Sequence, residues 1–511
     1  MDLRTWAARR PRHAAVVCSG RQLSYGDLEA LANRLAATWR ALGLCRGDHV
    51  AMLMGNVPAT LAAAWAAWRC GVYLTPVPTT LAASEAAAMV ADCDARLLLA
   101  DGASPSAAAL ASRVPVLLRT PIHLRSIDGA IEGFEPIEPQ LAAASPAPAA
   151  DEPPGALMMY TSGTTGSPKG VIRPLLPADW RGTPPFAADL IDLFKLGGED
   201  VRYLSTAPLY HAAPLRVALA VTAGGGTVHV MDRFEAGLAL DLIEREGITH
   251  SQWVPAMFQR LLALPEARRE ALRAPAHRAA IHGAAPCPVE LKRAMIAWWG
   301  PILMEYYSGS EGVGLTLIDS HESLARPGSV GRARKGRLHV VDEAGRELPP
   351  GRTGLVCFSG VAPFAYHNAP AKTAERSLPG GLQTFGDLGH VDAEGWLYLS
   401  DRLDDMIISG GVNVYPQEIE AVLGAVHGVW ECAVVGVADE RFGERPVAFV
   451  VPRDDADPTQ LRSALERAAA ERLGRIKRPD AIHFIDDLPR SPTGKLLRRR
   501  LRQNLPEESR S

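Results

Sequence analysis

The chain has 511 residues, of which 47% are hydrophobic and 22% charged, so it has ordinary globular composition and is too long for a single hydrophobic core. Its formal net charge of -3 gives no general attraction to nucleic acid or to an anionic membrane surface. No apolar run reaches the length of a membrane span, and the N-terminus lacks the apolar stretch of a signal peptide.

The first 154 residues alternate between helical and strand patterns. Ser24 is the expected cap of a helix over residues 25–42, and Gly43 ends it. Further elements are expected as a strand at 48–54, a helix at 58–68, and strands at 97–100 and 114–118. This alternation predicts a parallel sheet with helices on both faces. Residues 142–154, rich in alanine and proline, are the predicted linker to the next segment.

A glycine- and hydroxyl-rich stretch, residues 160–170, follows this linker and stands between two strand-like segments. Its glycines allow close backbone approach to a bulky anion, and successive backbone N–H groups form a concavity suited to phosphate. Its spacing differs from a Walker A loop, and the alternative is a flexible surface loop. The residues expected to bind phosphate are Thr161, Ser162, Gly163, Thr164, Thr165, Gly166 and Lys169.

The stretch resembles the phosphate loop of the adenylate-forming superfamily, which comprises acyl-CoA synthetases, adenylation domains and luciferases. Further motifs extend the resemblance, in order, over nearly the whole chain. It implies an α/β fold, with a large N-terminal region of layered α/β sheets and a small β subdomain over residues 1–403. A mobile α+β C-terminal domain, residues 404–511, would carry the catalytic lysine.

A second group of motifs resembles the nucleotide site of that superfamily. In residues 306–312, Tyr307 would stack on adenine, Ser310 would bond the α-phosphate, and Glu311 would hold Mg²⁺. A solvated loop carboxylate is the alternative for Glu311. The turn expected to frame adenine contains Gly283, Ala284 and Ala285, and the residues expected to bind the ribose are Asp387 and Arg402.

The acyl pocket is the least specific part of the resemblance. His211 would lie beside the acyl group, although a histidine at a strand end with no chemistry is the alternative. Trp253 would line the pocket or else belong to the core. The small residues Ala284 and Gly309 leave room for a bulky acid. Relatives that activate amino acids carry an aspartate that the corresponding segment lacks, so an amino acid substrate is not expected.

The C-terminal motifs imply domain movement. Asp404 falls at the family's hinge, and Gly410 and Gly411 resemble the loop that lines the pantetheine tunnel. Lys495 resembles the catalytic lysine that bridges the acyl carboxylate and the α-phosphate. The alternative for Lys495 is one more charge of the basic segment that follows it.

Together the motifs imply an ATP-dependent acyl-CoA synthetase that uses ATP, Mg²⁺ and coenzyme A. The acid is expected to be apolar, with room for a bulky one, and the resemblance is greatest to ligases of fatty, steroid or bile-type acids. A carrier-protein thiol or a partner ligase is the alternative acceptor, and luciferase-like oxidation or an adenylate-binding pseudoenzyme are alternative functions. Such enzymes are commonly homodimers. Seven scattered cysteines without a Cys-x-x-Cys pair predict reduced thiols, no metal–thiolate site and a cytoplasmic location.

Overall fold

The N-terminal part of the chain alternates helices and strands, as the sequence predicts. The computed structural model describes residues 2–18, 20–161, 168–410, 412–439, 441–454, 456–490, 496–503 and 505. Up to residue 160 the elements are α1 (Leu3–Arg9), β1 (Ala14–Cys18), β2 (Arg21–Ser24), α2 (Tyr25–Ala41), β3 (His49–Leu53), α3 (Pro58–Cys70), β4 (Tyr73–Pro76), α4 (Ala83–Asp92), β5 (Ala95–Asp101), α5 (Pro105–Ala111), β6 (His123–Ile127), β7 (Glu135–Pro136), α6 (Glu138–Ala143), β8 (Ala156–Leu157) and β9 (Met159–Tyr160).

Local sequence signals account for most of these boundaries. Ser24 and Asp27 form a reciprocal capping box at the start of α2, and Gly43 follows its end in the left-handed region at φ +82°. The strand predicted at residues 114–118 is wrong. Pro115–Leu117 forms a single 3-10 turn, and Val116 is 83% exposed, so these side chains gain nothing from a sheet.

A wholly parallel sheet in the order β7-β6-β5-β3-β4-β8 results from this alternation in the described residues. Every residue of β3 is buried, as expected for a strand that helices cover on both faces. The prediction of a parallel sheet is therefore confirmed for this part of the chain.

The middle of the chain forms a second, larger sheet and the helices that pack on it. Its elements are β10 (Gly170–Ile172), α7 (Pro185–Phe194), β11 (Arg202–Ser205), α8 (Ala212–Gly224), β12 (Thr227–Val230), α9 (Ala236–Arg245), β13 (His250–Trp253), α10 (Pro255–Leu262), α11 (Glu266–Ala271), β14 (Ala279–His282), α12 (Val289–Trp299), β15 (Leu303–Tyr307), β16 (Leu315–Asp319), α13 (Ser320–Ala325), β17 (Ser329–Lys335), β18 (Arg337–Val341), β19 (Gly354–Ser359), β20 (Ala365–Tyr366), α14 (Pro370–Glu375), β21 (Ser377–Leu378), β22 (Leu382–Val391) and β23 (Leu397–Arg402).

The larger sheet changes from parallel to antiparallel along its width. Strands β12, β11, β13, β14 and β15 run parallel in that order. From β15 onward the neighbours β16, β17, β23, β22, β19 and β18 are all antiparallel. The antiparallel half corresponds to the small β subdomain that the resemblance implies. Because β11, β13, β14 and β15 share one direction, the loops that follow them all leave the sheet at one edge.

The C-terminal part has a separate sheet and core. Its elements are β24 (Ile407–Ser409), β25 (Val412–Val414), α15 (Pro416–Gly424), β26 (Val429–Asp439), β27 (Gly443–Pro452), α16 (Pro458–Arg472), β28 (Ala481–Phe484) and α17 (Arg498–Gln503). The strand order is β25-β24-β27-β26, with β28 parallel to β27. Apolar residues of α15 and α16 bury one face of the sheet, and Leu501 of α17 lies against the other. One 3-10 turn, Leu403–Asp405, joins this part to β23.

A buried ion pair links α12 to β15 beneath the edge where the motifs meet. The Lys292 ammonium donates to the Glu305 carboxylate, and both side chains are only 6% exposed. Burial raises the pKa of Glu305, while Lys292 acts in the opposite direction. Glu305 is the central residue of β15, so the pair ties α12 to the strand that leads into the predicted nucleotide motif.

We expect Lys292→Ala to lower the free energy of unfolding by about 3–5 kcal/mol, because it leaves the Glu305 charge buried without its partner. The neighbouring Arg293→Ala is the matched control. It removes only the exposed pair with Glu290, for which a loss below about 1 kcal/mol is typical. Urea unfolding followed by tryptophan fluorescence measures both. Equal effects of the two substitutions would show that the buried pair does not stabilise the large sheet.

Candidate active site

Three of the predicted motifs follow the ends of neighbouring parallel strands. His211 lies beyond β11, Gly283 follows β14 directly, and the loop containing Ser310 follows β15. In open α/β sheets ligands bind outside the carboxyl ends of the strands. A contact between α8 and the last loop closes the group, because Arg216 Nη2 donates to the Ser310 carbonyl at 3.3 Å. The structure therefore brings together motifs that are far apart in sequence.

The glycine- and hydroxyl-rich loop is closed at its base as a hairpin. Strands β9 and β10 pair antiparallel, and Thr161 N donates to the Lys169 carbonyl at 2.9 Å. The backbone N–H of His367 donates to the Gly170 carbonyl at 2.8 Å and ties this base to β20. The prediction of a loop between two strands is confirmed. Its tip lies outside the described residues: Ser162, Gly163, Thr164, Thr165 and Gly166.

The three residues predicted to hold the nucleoside form one connected cluster. Asp387 lies opposite Arg402 in the β22–β23 ladder, and Arg402 Nε is 3.2 Å from Asp387 Oδ1. Tyr307 Oη, at the end of β15, donates to Asp387 Oδ2 at 2.7 Å. Burial would lower the pKa of Arg402, but Asp387 and Asp405 outweigh it and raise that pKa. Burial, and then Asp387, raise the pKa of Tyr307, which therefore remains a neutral donor.

A bend in β22 aims Asp387 at this cluster. Gly386 has φ +84°, and its N–H donates to Thr384 Oγ1 at 2.9 Å. A Cβ at Gly386 would overlap the Arg376 guanidinium, so only glycine fits without displacing that side chain. Phe385, which stands where the family usually has a hydroxyl, packs its ring 5.5 Å from the ring of Tyr307.

Phe385 also corrects one prediction about the acyl pocket. A Cβ at Gly309 would lie 2.6 Å from the Phe385 ring. The space beside Gly309 is therefore filled by an aromatic ring from β22, and this glycine does not open room for a bulky acid.

The turn predicted to frame adenine keeps its expected character. A Cβ at Gly283 would lie 2.7 Å from the Tyr306 carbonyl oxygen, so the backbone of the turn packs closely against β15. Ala284 follows it at φ +71° and is exposed. Small residues therefore leave the outer side of this turn open to a flat ring.

Trp253 is a core residue, which agrees with the second of the two places that the sequence left open for it. It is 1% exposed, and its ring contacts Phe258 and Trp299 with centroids 6.1 and 5.3 Å away. Its Nε1 donates to Ser251 Oγ at 2.6 Å. Because successive strand residues point to opposite faces, the Gln252 side chain lies on the face of the sheet opposite to that of Trp253.

Gln252 belongs to a polar network that the sequence analysis missed. Its Oε1 accepts from Tyr203 Oη at 2.8 Å, and its Nε2 donates to Tyr306 Oη at 3.4 Å. Burial raises the pKa of Tyr306 to about 12. The alternation along β13 would have identified this face, had Trp253 been assigned to the core. Arg216 was also missed, although it is the single charged residue in the sequence of α8.

His211 lies immediately before α8 with a buried, unsatisfied ring nitrogen. Within the described residues Nε2 has no hydrogen-bond partner, and the ring lies 4.6 Å from the ring of Tyr210. Burial lowers the pKa of His211 to about 4, so the imidazole is neutral at pH 7. It can donate or accept one hydrogen bond to a ligand, but it cannot supply a charge there.

Glu311 is oriented by its neighbours as a metal ligand would be. Tyr366 Oη donates to Glu311 Oε1 at 2.7 Å, and Arg173 Nη2 donates to the Glu311 carbonyl at 2.7 Å. No group of three or more His, Cys, Asp or Glu side chains that could hold a metal ion occurs among the residues that the structure describes. A lone carboxylate suits Mg²⁺, which binds proteins through one or two carboxylates and completes its shell with phosphate and water.

The structure describes only some of the residues that were predicted to act in the C-terminal part of the chain. Lys495 and Gly411 lie outside the described residues. Gly410 has φ +55°, and its N–H donates to the Phe442 carbonyl at 2.8 Å. Asp404 lies within the 3-10 turn between β23 and β24. The roles assigned to these four residues remain predictions.

We expect Asp387→Asn to weaken ATP binding about 10- to 100-fold, because hydrogen bonds to a charged group contribute about 1.5–3 kcal/mol. Isothermal titration with ATP and magnesium measures the loss. Glu394→Gln is the control: it removes an exposed ion pair with Arg326 in the same antiparallel half of the sheet. Unchanged ATP affinity in Asp387→Asn would contradict the assignment of this carboxylate to the nucleoside.

Comparison with known proteins agrees with this geometry. Residues 3–365 match the family model of the AMP-binding enzymes, and residues 418–495 match the model of the AMP-binding enzyme C-terminal domain. The long-chain-fatty-acid–CoA ligase FadD13 of Mycobacterium tuberculosis is 33% identical over 98% of this chain and 97% of its own length. The fatty acid–[acyl-carrier-protein] ligase ScoC of Streptomyces coeruleorubidus is 34% identical over 97% of this chain and 94% of its own.

The fold is shared with a solved structure over almost its entire length. ATP-bound MatB from Rhodopseudomonas palustris superposes with a TM-score of 0.81 at 30% identity, covering 98% of this chain and 99% of that one. No helix among the described residues is both long and apolar enough to cross a membrane. Enzymes of this kind use ATP, Mg²⁺ and coenzyme A. The chain belongs to the AMP-binding enzyme family and is an acid–thiol ligase of the AMP-forming acyl-CoA synthetase class.

Proposed function

We propose that the protein activates an apolar carboxylic acid, with room for a bulky one, as an acyl-AMP and then transfers the acyl group to coenzyme A. One observation carries the proposal most directly. Asp387 is held between Tyr307 and Arg402, at the sheet edge where the loop after β15 also leaves. That cluster provides a fixed, buried carboxylate for the two ribose hydroxyls, and Glu311 follows Tyr307 by four residues.

Each residue of the site would have a separate role in the first half-reaction. A carboxylate oxygen of the acid attacks the α-phosphorus of ATP, the bond to the bridging oxygen breaks, and pyrophosphate leaves. The phosphate loop with Lys169, the Ser310 hydroxyl and Lys495 would stabilise charge on the transferring group. Mg²⁺, when held by Glu311, neutralises phosphate oxygens. Neutral His211 would contribute orientation beside the acyl group rather than charge.

The residues of α8 favour a carboxylic acid without an amino group as the substrate. A substrate ammonium group needs a carboxylate near the acyl pocket, yet α8 contains no acidic residue. Most of the apolar residues of α8 are buried in the core, and the partly exposed Ala212 and Ala213 carry no polar group that would bind an ammonium. FadD13, one of the full-length relatives, is named for long-chain fatty acids, which supports the same class.

Coenzyme A is the proposed acceptor, and a carrier-protein thiol is the second candidate. The positive φ of Gly410, +55°, favours glycine in the loop that resembles the lining of the pantetheine tunnel. ScoC is about as similar in sequence to this chain as FadD13 is, and it is named as a ligase to acyl-carrier protein. Its name supports the carrier-protein thiol as the second candidate. We also propose a cytoplasmic location, since all seven cysteines are free, and a homodimer stays a prediction.

The acceptor and the acid class can be tested together by mass spectrometry. Fatty, aromatic, steroidal and terpenoid acids are incubated with Mg-ATP, with and without coenzyme A. We expect acyl-AMP without coenzyme A and acyl-CoA with it.

Lys495→Ala should abolish acyl-AMP formation and leave ATP binding largely intact, because the lysine acts on the transferring group. Lys477→Ala, which removes a lysine paired with Glu418 in the same domain, is the control and should retain adenylation.

Each outcome of that screen bears on the proposal. Normal adenylation by Lys495→Ala would contradict the catalytic role of that lysine. Acyl-AMP that persists when coenzyme A is added would transfer the second half-reaction to a carrier protein or a partner ligase. ATP binding without acyl-AMP from any acid would favour the adenylate-binding pseudoenzyme.

We propose Asp404 as the hinge and the boundary between residues 1–403 and 404–511. The two matched family models leave residues 366–417 between them, and the C-terminal sheet begins at Ile407. A hinge residue must absorb a large change in φ and ψ, and proline fixes φ near about -65°.

We therefore expect Asp404→Pro to spare acyl-AMP formation and to slow thioester formation at least about 10-fold. Asp404→Ala is the control, because it removes the side chain but keeps backbone freedom. Single-turnover assays, with preformed acyl-AMP for the second step, measure the two half-reactions separately. Equal losses in both half-reactions would count against a hinge at this position.

A further inference from the structure

A single cation lies in the apolar helix α8 without an acidic partner. Arg216 is the only charged residue of α8, and its guanidinium donates to the Ser310 carbonyl at 3.3 Å. In the part of the chain that the structure describes, no carboxylate lies within ion-pair distance of its guanidinium. A guanidinium carries five N–H donors, so one long bond to a carbonyl leaves most of them unused.

The position of Arg216 directs its side chain toward the start of α8. Side chains on a helix lean toward its N-terminus, so the guanidinium lies over the first turn. That first turn has no side-chain cap, and His211 directly before it has a buried Nε2 without a partner in the described residues. The Arg216 side chain, the uncapped first turn and His211 thus belong to the same end of α8, and a cation at that end suits an anion.

Electrostatics at this place favour an anionic ligand. Burial, and then the nearby Arg173, lower the pKa of Arg216 to about 10, while Glu311 and Tyr306 oppose them. The guanidinium is still charged at pH 7. Arg216 is partly exposed, and the donors that it does not use within the described residues can bind an anionic ligand.

The same residue lies on the acyl side of the site. Tyr306 and Tyr307 are consecutive on β15 and point to opposite faces of the sheet. The Asp387–Arg402 cluster lies on the Tyr307 side, whereas Arg216 interacts with Tyr306, which also contacts Gln252. Arg216 therefore lies on the Tyr306 side of β15, and it is also in electrostatic range of Glu311. It is also close to Ser310, and therefore to the carboxylate that reacts.

We propose that Arg216 is a specificity-determining residue that binds a second anionic group of the acid, a carboxylate or sulfonate close to the carboxylate that is adenylated. The inference rests on the proposed function and refines its substrate class to a substituted diacid whose remaining carbon body is apolar. The second group accepts from the donors of Arg216 that are unused within the described residues. The reacting carboxylate stays free to attack ATP near Ser310.

The test compares matched acids that differ only in the second charge. Alkyl- and aryl-substituted succinic acids are paired with monoacids in which a methyl group replaces one carboxylate. For each pair, kcat/KM is measured by pyrophosphate release, together with the KM for ATP. The variants are Arg216→Gln and Arg216→Lys, and Arg260→Gln on the exposed side of α10 is the matched control.

We expect the native enzyme to prefer the diacid of a pair. Arg216→Gln should lower kcat/KM for the diacid about 100-fold, the usual loss when one member of a buried charge pair is truncated. Loss of the contact with the Ser310 carbonyl affects both acids of a pair alike, so the informative quantity is the diacid-to-monoacid ratio of kcat/KM, which should fall about 100-fold. Arg216→Lys should restore part of that ratio, because an ammonium keeps the charge but lacks the planar pair of donors of a guanidinium. Monoacid turnover that is retained also shows that the variant is folded.

Three results would overturn the inference. Equal losses for both acids of a pair would assign Arg216 to the reacting carboxylate. A raised KM for ATP with unchanged preference between acids would assign it to phosphate. If the native enzyme turned over only monoacids, the proposed function would be retained, but binding of a second anionic group by Arg216 would be refuted. Failure of the native enzyme to form acyl-AMP from any acid would instead refute the proposed function itself.

Discussion

The parallel register of β11, β13, β14 and β15 is the constraint on which the site depends. Parallel strands end at a common edge, so short loops after distant strands can share one ligand. The buried Lys292–Glu305 pair ties α12 to the middle of β15 and so holds that strand in the sheet. Without this register, the motifs would be separate turns on the surface, each too small to bind a nucleotide and an acid together.

The antiparallel half of the sheet supplies what the parallel half cannot. It places Asp387 and Arg402 directly opposite each other, and the positive φ of Gly386 turns the carboxylate toward Tyr307. The change of strand direction thus brings residues from the parallel and antiparallel halves into one cluster, the proposed nucleoside site. The acyl side is built differently, from α8 and the Gln252–Tyr306 face, where a neutral histidine and a charged arginine lie near the start of one helix.

Sequence reasoning succeeded where local chemistry decides the outcome. The Ser24 cap, the strands on either side of the glycine- and hydroxyl-rich loop, and the loop after β15 depend on neighbours in the chain, and all were predicted. Sequence reasoning failed where a segment far away in the chain determines the environment of a residue. Phe385 fills the space beside Gly309 from 76 residues away, and Val116 remains exposed because no strand pairs with its segment in the described part of the chain.

The sequence by itself determined the resemblance to the adenylate-forming superfamily and, apart from residues 114–118, the alternation of helices and strands predicted for the first 154 residues. Local features such as the Ser24 cap and the glycine- and hydroxyl-rich stretch carry these signals within a few residues. Only the tertiary structure decided which face of β13 meets the acyl side, which small residues leave space, and which charge has no acidic partner among the described residues. Burial and pairing are properties of contacts between segments, so Trp253, Gly309 and Arg216 took their roles from residues far away in the chain.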